Sequence, residues 1–314
     1  MDRRHFLTAA MIFVRSLSRP AAEAAPQLTI WWEKNYLTIR GDFPGSEISI
    51  HYLEAYCRPG SVDREWGQTV INHTTQLVRK SEDGRVIRLH DELADGVVVD
   101  HTITAGVDDI DFQLVARNST ARASEAHWAQ PCLRVDRFTG MPTTDARALQ
   151  PQYIKQCFLF IDGQLTRLPT KPWADKARYT PGQVYVPKHV DRNDVNPRPL
   201  SALVPSSGLC GCVSANEKSI LAVAWEPYQE IFQGVITCLH NDFRIGGLAP
   251  GEVKRIRGKL YILPNDIPML LERFERDFLS KSRTSAATGR TASGKNAEWR
   301  LVLTCSNERC GRVS

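Results

Sequence analysis

From Gln27 onward, apolar side chains recur at every second position, the period of a strand that buries one of its faces. Thr29-Ile30-Trp31-Trp32, Tyr36-Leu37-Thr38-Ile39 and Glu47-Ile48-Ser49-Ile50-His51-Tyr52 open the pattern. Val97, Val99, His101 and Ile103 share one face of a later strand, which makes His101 a satisfied core histidine, and Ile110, Phe112, Leu114 and Ala116 share a face of the next. Gly41-Asp42, Pro44-Gly45, Glu82-Asp83-Gly84 and Asp95-Gly96 supply the turns between them. Strands so closely spaced predict an all-β, antiparallel sandwich or barrel, not alternating βα units. Further strands are expected at 156–161, 208–214, 219–225, 234–239 and 257–263. Between them, 164–203 is rich in Pro and charge without an apolar period, and is expected to be a functional loop or lid. One helix is expected near the end, capped by Asp266, with Pro268 in its first turn and Leu270, Leu271, Phe274 and Phe278 as its apolar stripe.

Both ends read differently from this middle. Asp2-Arg3-Arg4-His5-Phe6-Leu7 is similar to a twin-arginine export motif, and an apolar run from Phe6 to Val14 follows, then Arg15, Arg19 and small residues near Ala22-Glu23-Ala24. Residues 1–25 are therefore expected to be a cleaved signal and the mature protein periplasmic or secreted; an amphipathic first helix is the alternative. No later segment approaches the roughly 20 apolar residues of a membrane span. The β domain is expected over 26–280, and 281–314, rich in Ser, Thr, Ala, Gly, Lys and Arg, is expected to be a disordered tail. A net charge of +5 spread among 35 acidic residues writes no basic face, which disfavours nucleic acid as a partner.

No P-loop, GxGxxG, HExxH or GxSxG occurs, and no cofactor is implied. Cys57, Cys132, Cys157 and Cys238 lie in apolar strand-like runs and read as buried thiols; Cys210 and Cys212 share one strand face; Cys305 and Cys310 fall in the tail. No metal site is expected from these cysteines. Asp191 and Asn193 begin a calcium-like alternation that Val195 breaks.

Cys238-Leu239-His240-Asn241-Asp242-Phe243-Arg244, then Leu248-Ala249-Pro250-Gly251-Glu252, then the strand Gly258-Lys259-Leu260-Tyr261-Ile262-Leu263 form the most informative stretch. It resembles the galactose mutarotase-like β-supersandwich, whose C-terminal part often runs Cys-Leu-Glu, a loop with Leu-x-Pro-Gly-Glu, and a strand containing Tyr. That resemblance implies an antiparallel supersandwich that handles sugars, with the family's Glu as general base. Here the matching position is His240, a departure that puts anomeric chemistry in doubt while an imidazole can still move protons near neutral pH.

The remaining candidates follow from strand alternation. Trp128, Gln130, Cys132 and Arg134 point to one face, with His127 on the other, and an aromatic ring beside amide and guanidinium groups suits a sugar. The alternative is that Trp128 is core and Arg134 pairs with a carboxylate. Glu226 leaves an apolar strand where a binding carboxylate, or a solvated strand end, would sit; Gln229 and Gln233 add uncharged hydrogen-bonding groups. The expected site therefore has His240 as acid/base, Asp242 as its orienting partner, His127 as a second proton donor, and Arg134 and Arg244 holding oxygens that gain negative charge. Epimerisation, ring opening or elimination on a sugar or acidic sugar fit that set. A non-catalytic carbohydrate-binding or envelope protein is the rival, using Trp128 and Trp225 without proton transfer.

Overall fold

Strands form where the alternation places them in a computed structural model that describes residues 27–60, 64–141, 152–172 and 179–279. The expected signal at 1–25 and tail at 281–314 lie outside the described residues. The first eight strands are β1 (Thr29–Glu33), β2 (Tyr36–Arg40), β3 (Glu47–Cys57), β4 (Val70–Ile71), β5 (His73–Lys80), β6 (Val86–Leu93), β7 (Val97–Ala105) and β8 (Asp109–Asn118). Then come β9 (Trp128–Arg134), β10 (Cys157–Ile161), β11 (Gln164–Arg167), β12 (Tyr179–Val184) and β13 (Arg198–Leu200). The last five are β14 (Pro205–Val213), β15 (Ser219–Glu226), β16 (Tyr228–Gln233), β17 (Cys238–Arg244) and β18 (Val253–Pro264).

They make two large antiparallel sheets, as expected for a sandwich. The seven-stranded sheet runs β1-β2-β3-β9-β17-β16 with β4 paired to β3, and the nine-stranded sheet runs β11-β10-β14-β15-β18-β8-β7-β6-β5. β12 and β13 form a small parallel pair. The core lies between the sheets: Trp225 of the nine-stranded sheet packs on Phe243 of the seven-stranded one at 4.9 Å between ring centres and on Phe112 at 5.2 Å. Asn241 ties the sheets across this core, its Nδ2 donating to the carbonyls of Gly208 and Val223. His101 is the satisfied core histidine expected, 2.8 Å from Tyr52 Oη, 3.3 Å from Tyr56 Oη and 3.1 Å from Asp91 Oδ2.

Two expectations change. No strand covers 234–239; residues 234–237 turn the chain between β16 and β17. The run Gly-Val-Ile-Thr-Cys-Leu looks uniformly apolar, but a Cβ at Gly234 would overlap Cys238 Sγ, so this glycine lets the turn fold back onto its own strand. Segment 164–203 is not irregular throughout: it contains β11, β12 and β13, and Val184, Val186, Val190 and Val195 pack with Phe232 of β16 in a satellite cluster.

Backbone contacts divide the chain at Leu270/Leu271. The strands belong to the first unit. The helix Ile267–Phe274 begins as expected, the amide of Met269 donating to Asp266 Oδ1 at 3.0 Å, and Phe274 stacks on Phe278 at 5.0 Å within the second unit. Among the described residues no helix is long and apolar enough to cross a membrane.

Candidate functional site

Alternation along β17 divides its side chains. Leu239, Asn241 and Phe243 enter the inter-sheet core, so Cys238, His240, Asp242 and Arg244 project from the outer face of the seven-stranded sheet. Register then sets the neighbours. Cys132 of β9 lies opposite His240, Arg134 opposite Cys238, and His51 of β3 opposite Cys132. On the other side of β17, Phe232 lies opposite His240 and Glu230 opposite Asp242. One row thus runs His51, Cys132, His240, Phe232 across four strands, and Tyr36 of β2 extends it by stacking on His51 at 4.9 Å.

The His240 imidazole stacks on Phe232 with ring centres 4.3 Å apart and an angle of 3°. Its Nδ1 lies 2.9 Å from Gln130 Nε2 and 3.6 Å from Asp242 Oδ1, and the residue is 4% exposed. Glu230 and Asp242 are fully buried, no N–H or hydroxyl of another described residue lies within hydrogen-bond distance of their four oxygens, and the bond open to them is the one between the two carboxyls when Glu230 carries its proton. Burial, reinforced by the neighbouring Asp242, raises the Glu230 carboxyl well above the usual carboxylate range. Burial likewise lifts Asp242 to about 6, although the His240 imidazole holds it back. Burial opposes a charged imidazole at His240, yet Cys238 and Asp242 outweigh it and raise its pKa. At Cys238 burial is outweighed by a hydrogen bond from Cys132 and by the His240 charge, which together lower the thiol; Cys132, the donor of that bond, is raised.

The expected site residues fall into groups. His240, Asp242 and Gln130 meet as described, and half-buried Arg134 shares their face, its charge acting on Cys132 and Cys238. His127 and Arg244 do not join them. They lie at the other end of β17, four residues from His240 or about 13 Å along a strand, where Asp194 Oδ2 is 3.6 Å from His127 Nδ1 and 3.7 Å from Arg244 Nη2. Gln229 belongs to this second group, its Oε1 accepting from Arg244 Nη1. Trp128 is fully buried and packs with Ala55 and Cys57, the core alternative weighed for it. Gln233 is buried at the edge of β16, where its carbonyl accepts from Thr180 Oγ1 at 2.6 Å. Glu226 is remote: it ends β15 in the other sheet, exposed and paired with Arg257 at 3.1 Å, because the strand leaves the core there.

Sequence reasoning missed Glu230 and the part played by two cysteines. The signal for the cysteines was present as Cys-x-His-x-Asp and Gln-x-Cys-x-Arg, each a single face of a strand. Cys132 and Cys238 are free, buried thiols as expected, and their sulfurs and a ring nitrogen of His240 lie within 4.8 Å of one another.

No protein-family model matches the chain, and no curated protein matches it. Among solved structures it is similar to a candidate aldose 1-epimerase from Escherichia coli K12, at 12% identity and TM-score 0.39 over 76% of this chain and 99% of that one. It is also similar to a galactose mutarotase-like protein from Lactobacillus casei, at 9% identity and TM-score 0.36 over 75% of this chain and 99% of that one. A polysaccharide lyase is matched at 9% identity and TM-score 0.32, over 77% of this chain and 33% of that one.

Proposed function

We propose that this is a carbohydrate-active protein whose proton-transfer site is the carboxyl pair Glu230–Asp242 beside His240, on the outer face of the seven-stranded sheet. One observation carries the reading: two facing carboxyls, fully buried, with no donor from another described residue within hydrogen-bond distance and with only each other and His240 to share a proton with. Folding alone gains nothing from such a pair, since each partnerless buried polar atom costs about 1–3 kcal/mol, and perturbed carboxyls of this kind are what acid–base catalysis needs. The amide of Gln130 and the guanidinium of Arg134, on the same face, suit a hydroxyl-rich ligand and an oxygen that gains negative charge. Proton transfer at an anomeric hydroxyl would give epimerisation or ring opening, and at a carbon next to a carboxylate, elimination. The twin-arginine-like start at Arg3-Arg4 supports a periplasmic or secreted setting.

The rival, a sugar binder without turnover, loses the two indoles expected to carry it, since Trp128 packs with Ala55 and Cys57 and Trp225 with Phe243, and keeps Gln130 and Arg134. Incubation of the protein with mono- and oligosaccharides, uronic acids included, decides between them when optical rotation and ultraviolet absorbance are followed together. Turnover that is lost in Asp242→Asn and Glu230→Gln, with the far-ultraviolet spectrum unchanged, is the expected result. Full turnover in both variants sinks the assignment, and binding without turnover in the wild type selects the rival.

A further inference from the structure

We propose that Cys132, Cys238 and His240 form a binding site for one thiophilic metal ion of the zinc class, built on the two adjacent strands β9 and β17. Their ligand atoms all lie within 4.8 Å of one another. Zinc, at about 2.3 Å from sulfur and about 2.0 Å from nitrogen, holds tetrahedral ligands roughly 3.5–3.8 Å apart, so small side-chain rotations suffice and no strand has to move. Register explains the convergence. Cys132 sits directly opposite His240, and Cys238 precedes His240 by two residues on the same face.

That geometry suits a metal better than a disulfide. The two cysteines are diagonal neighbours across the strand pair, where backbones are about 7–8 Å apart, beyond the 4.4–6.8 Å usual for a disulfide. The ring nitrogens of His240 are also divided as a ligand requires. Nδ1 faces Gln130 and Asp242, at 2.9 Å and 3.6 Å. Nε2 lies 3.2 Å from where a Cβ of Gly234 would stand, a point that overlaps Cys238 Sγ. Metal-bound histidines commonly donate the remaining N–H to a carboxylate or amide, and Gln130 Oε1, which has no partner as placed, would accept it if the amide turned end for end. Two thiolates balance a divalent charge. Three protein ligands leave a fourth position open, the arrangement of catalytic rather than structural zinc.

This goes beyond the carbohydrate reading and does not depend on it: the ion would occupy Nε2 while the carboxyl pair stays on the Nδ1 side. The test needs no sugar. Full-length protein stripped with a chelator is titrated with Co²⁺, then with Zn²⁺. One equivalent of Co²⁺ is expected to raise a near-ultraviolet thiolate-to-metal band and tetrahedral visible bands, and one equivalent of Zn²⁺ to abolish both. Cys132→Ser and Cys238→Ser should each weaken binding at least tenfold and reduce the near-ultraviolet band. Asp242→Asn, acting through His240, should weaken binding about 10–100-fold while leaving that band's shape unchanged. X-ray absorption of the zinc-loaded wild type, which needs no variant to fold, should count two sulfur ligands and one nitrogen. A cobalt complex without the thiolate band, a zinc shell of oxygen and nitrogen only, or unchanged affinity in both serine variants overturns the site. Failure of the sugar panel would leave it standing.

Discussion

Replacing Glu230 by Gln should make the protein more stable and less active. Its carboxyl is fully buried opposite that of Asp242, and no donor of another described residue lies within hydrogen-bond distance of the pair's four oxygens. The substitution replaces a carboxyl that must take up a proton on folding with an amide that is neutral at every pH and whose N–H can donate to Asp242. At about 1–3 kcal/mol for a buried unsatisfied group, and discounting for imperfect geometry, the gain should be about 1–3 kcal/mol. For a domain of this size that is about 2–4 °C in melting temperature per kcal/mol. The gain should also depend on pH. Burial and Asp242 raise the Glu230 pKa on folding, so the wild type suffers no penalty where folded and unfolded forms are both protonated, below about pH 4.3. The penalty grows as pH rises from there towards the folded value. Thermal melts of both proteins, with chelator present, should therefore nearly coincide at about pH 4 and separate by pH 7.5. A variant that melts at or below the wild type at pH 7.5 would refute the claim that burial raises the pKa of this carboxyl on folding.

Three further outcomes are expected. Burial works against ionisation of Asp91, but the charge of His101 and bonds from His101 and Tyr56 prevail and lower its pKa. Its contribution is thus present above the ordinary value near pH 3.9 and lost as pH falls through the folded one; Asp91→Asn should cost about 1–3 kcal/mol in urea denaturation at pH 7 and progressively less at lower pH. Asn241→Ala, by removing the donor shared by Gly208 and Val223 between the sheets, should lower stability by about 1–3 kcal/mol in the same assay. Gly234→Ala would press a methyl group against Cys238 Sγ; a destabilisation of about 1–3 kcal/mol and a weakened Co²⁺ thiolate band are expected, and an unaltered band would show that the turn does not hold the sulfur in place.

Much of the fold was legible because one-sided strands advertise their period. β7 and β8 bury every second residue, so their faces, including His101, could be read directly. β16 could not be read this way: all six of its residues are buried, one face against the core and the other beneath the segment around Val184 to Val195, so alternation vanishes and Glu230 gives no sign of its side. The site was half legible for a related reason. Spacing of two put His240 with Asp242 and Gln130 with Arg134, but only register between separate strands brings Cys132 to His240 and Glu230 to Asp242, and register between distant segments is not written in either one. Arg244 was misplaced because strand length, at about 3.3 Å per residue, carries it away from an imidazole that looks close in the sequence, and His127 because its carbonyl accepts from the amides of Ile245 and Gly246, past the far end of β17.

The chain also closes over its own chemistry. Residues 180–201 are fastened along the edge strand β16 by the reciprocal amide bonds of Tyr185 and Ile231, each 2.9 Å, and by Thr180 to Gln233, while their valines cover Phe232 and Asp194 accepts from the amide of Gly60 and the side chain of Gln229. Whatever reaches Glu230 by this route must wait for those fastenings to part. Binding would then be paced by the protein rather than by diffusion: its observed rate should climb with ligand concentration and level off at the opening rate, and hydrogen exchange at the amides of Tyr185 and Ile231, followed at a pH high enough for exchange to outpace reclosing, should report that same ceiling with no ligand present.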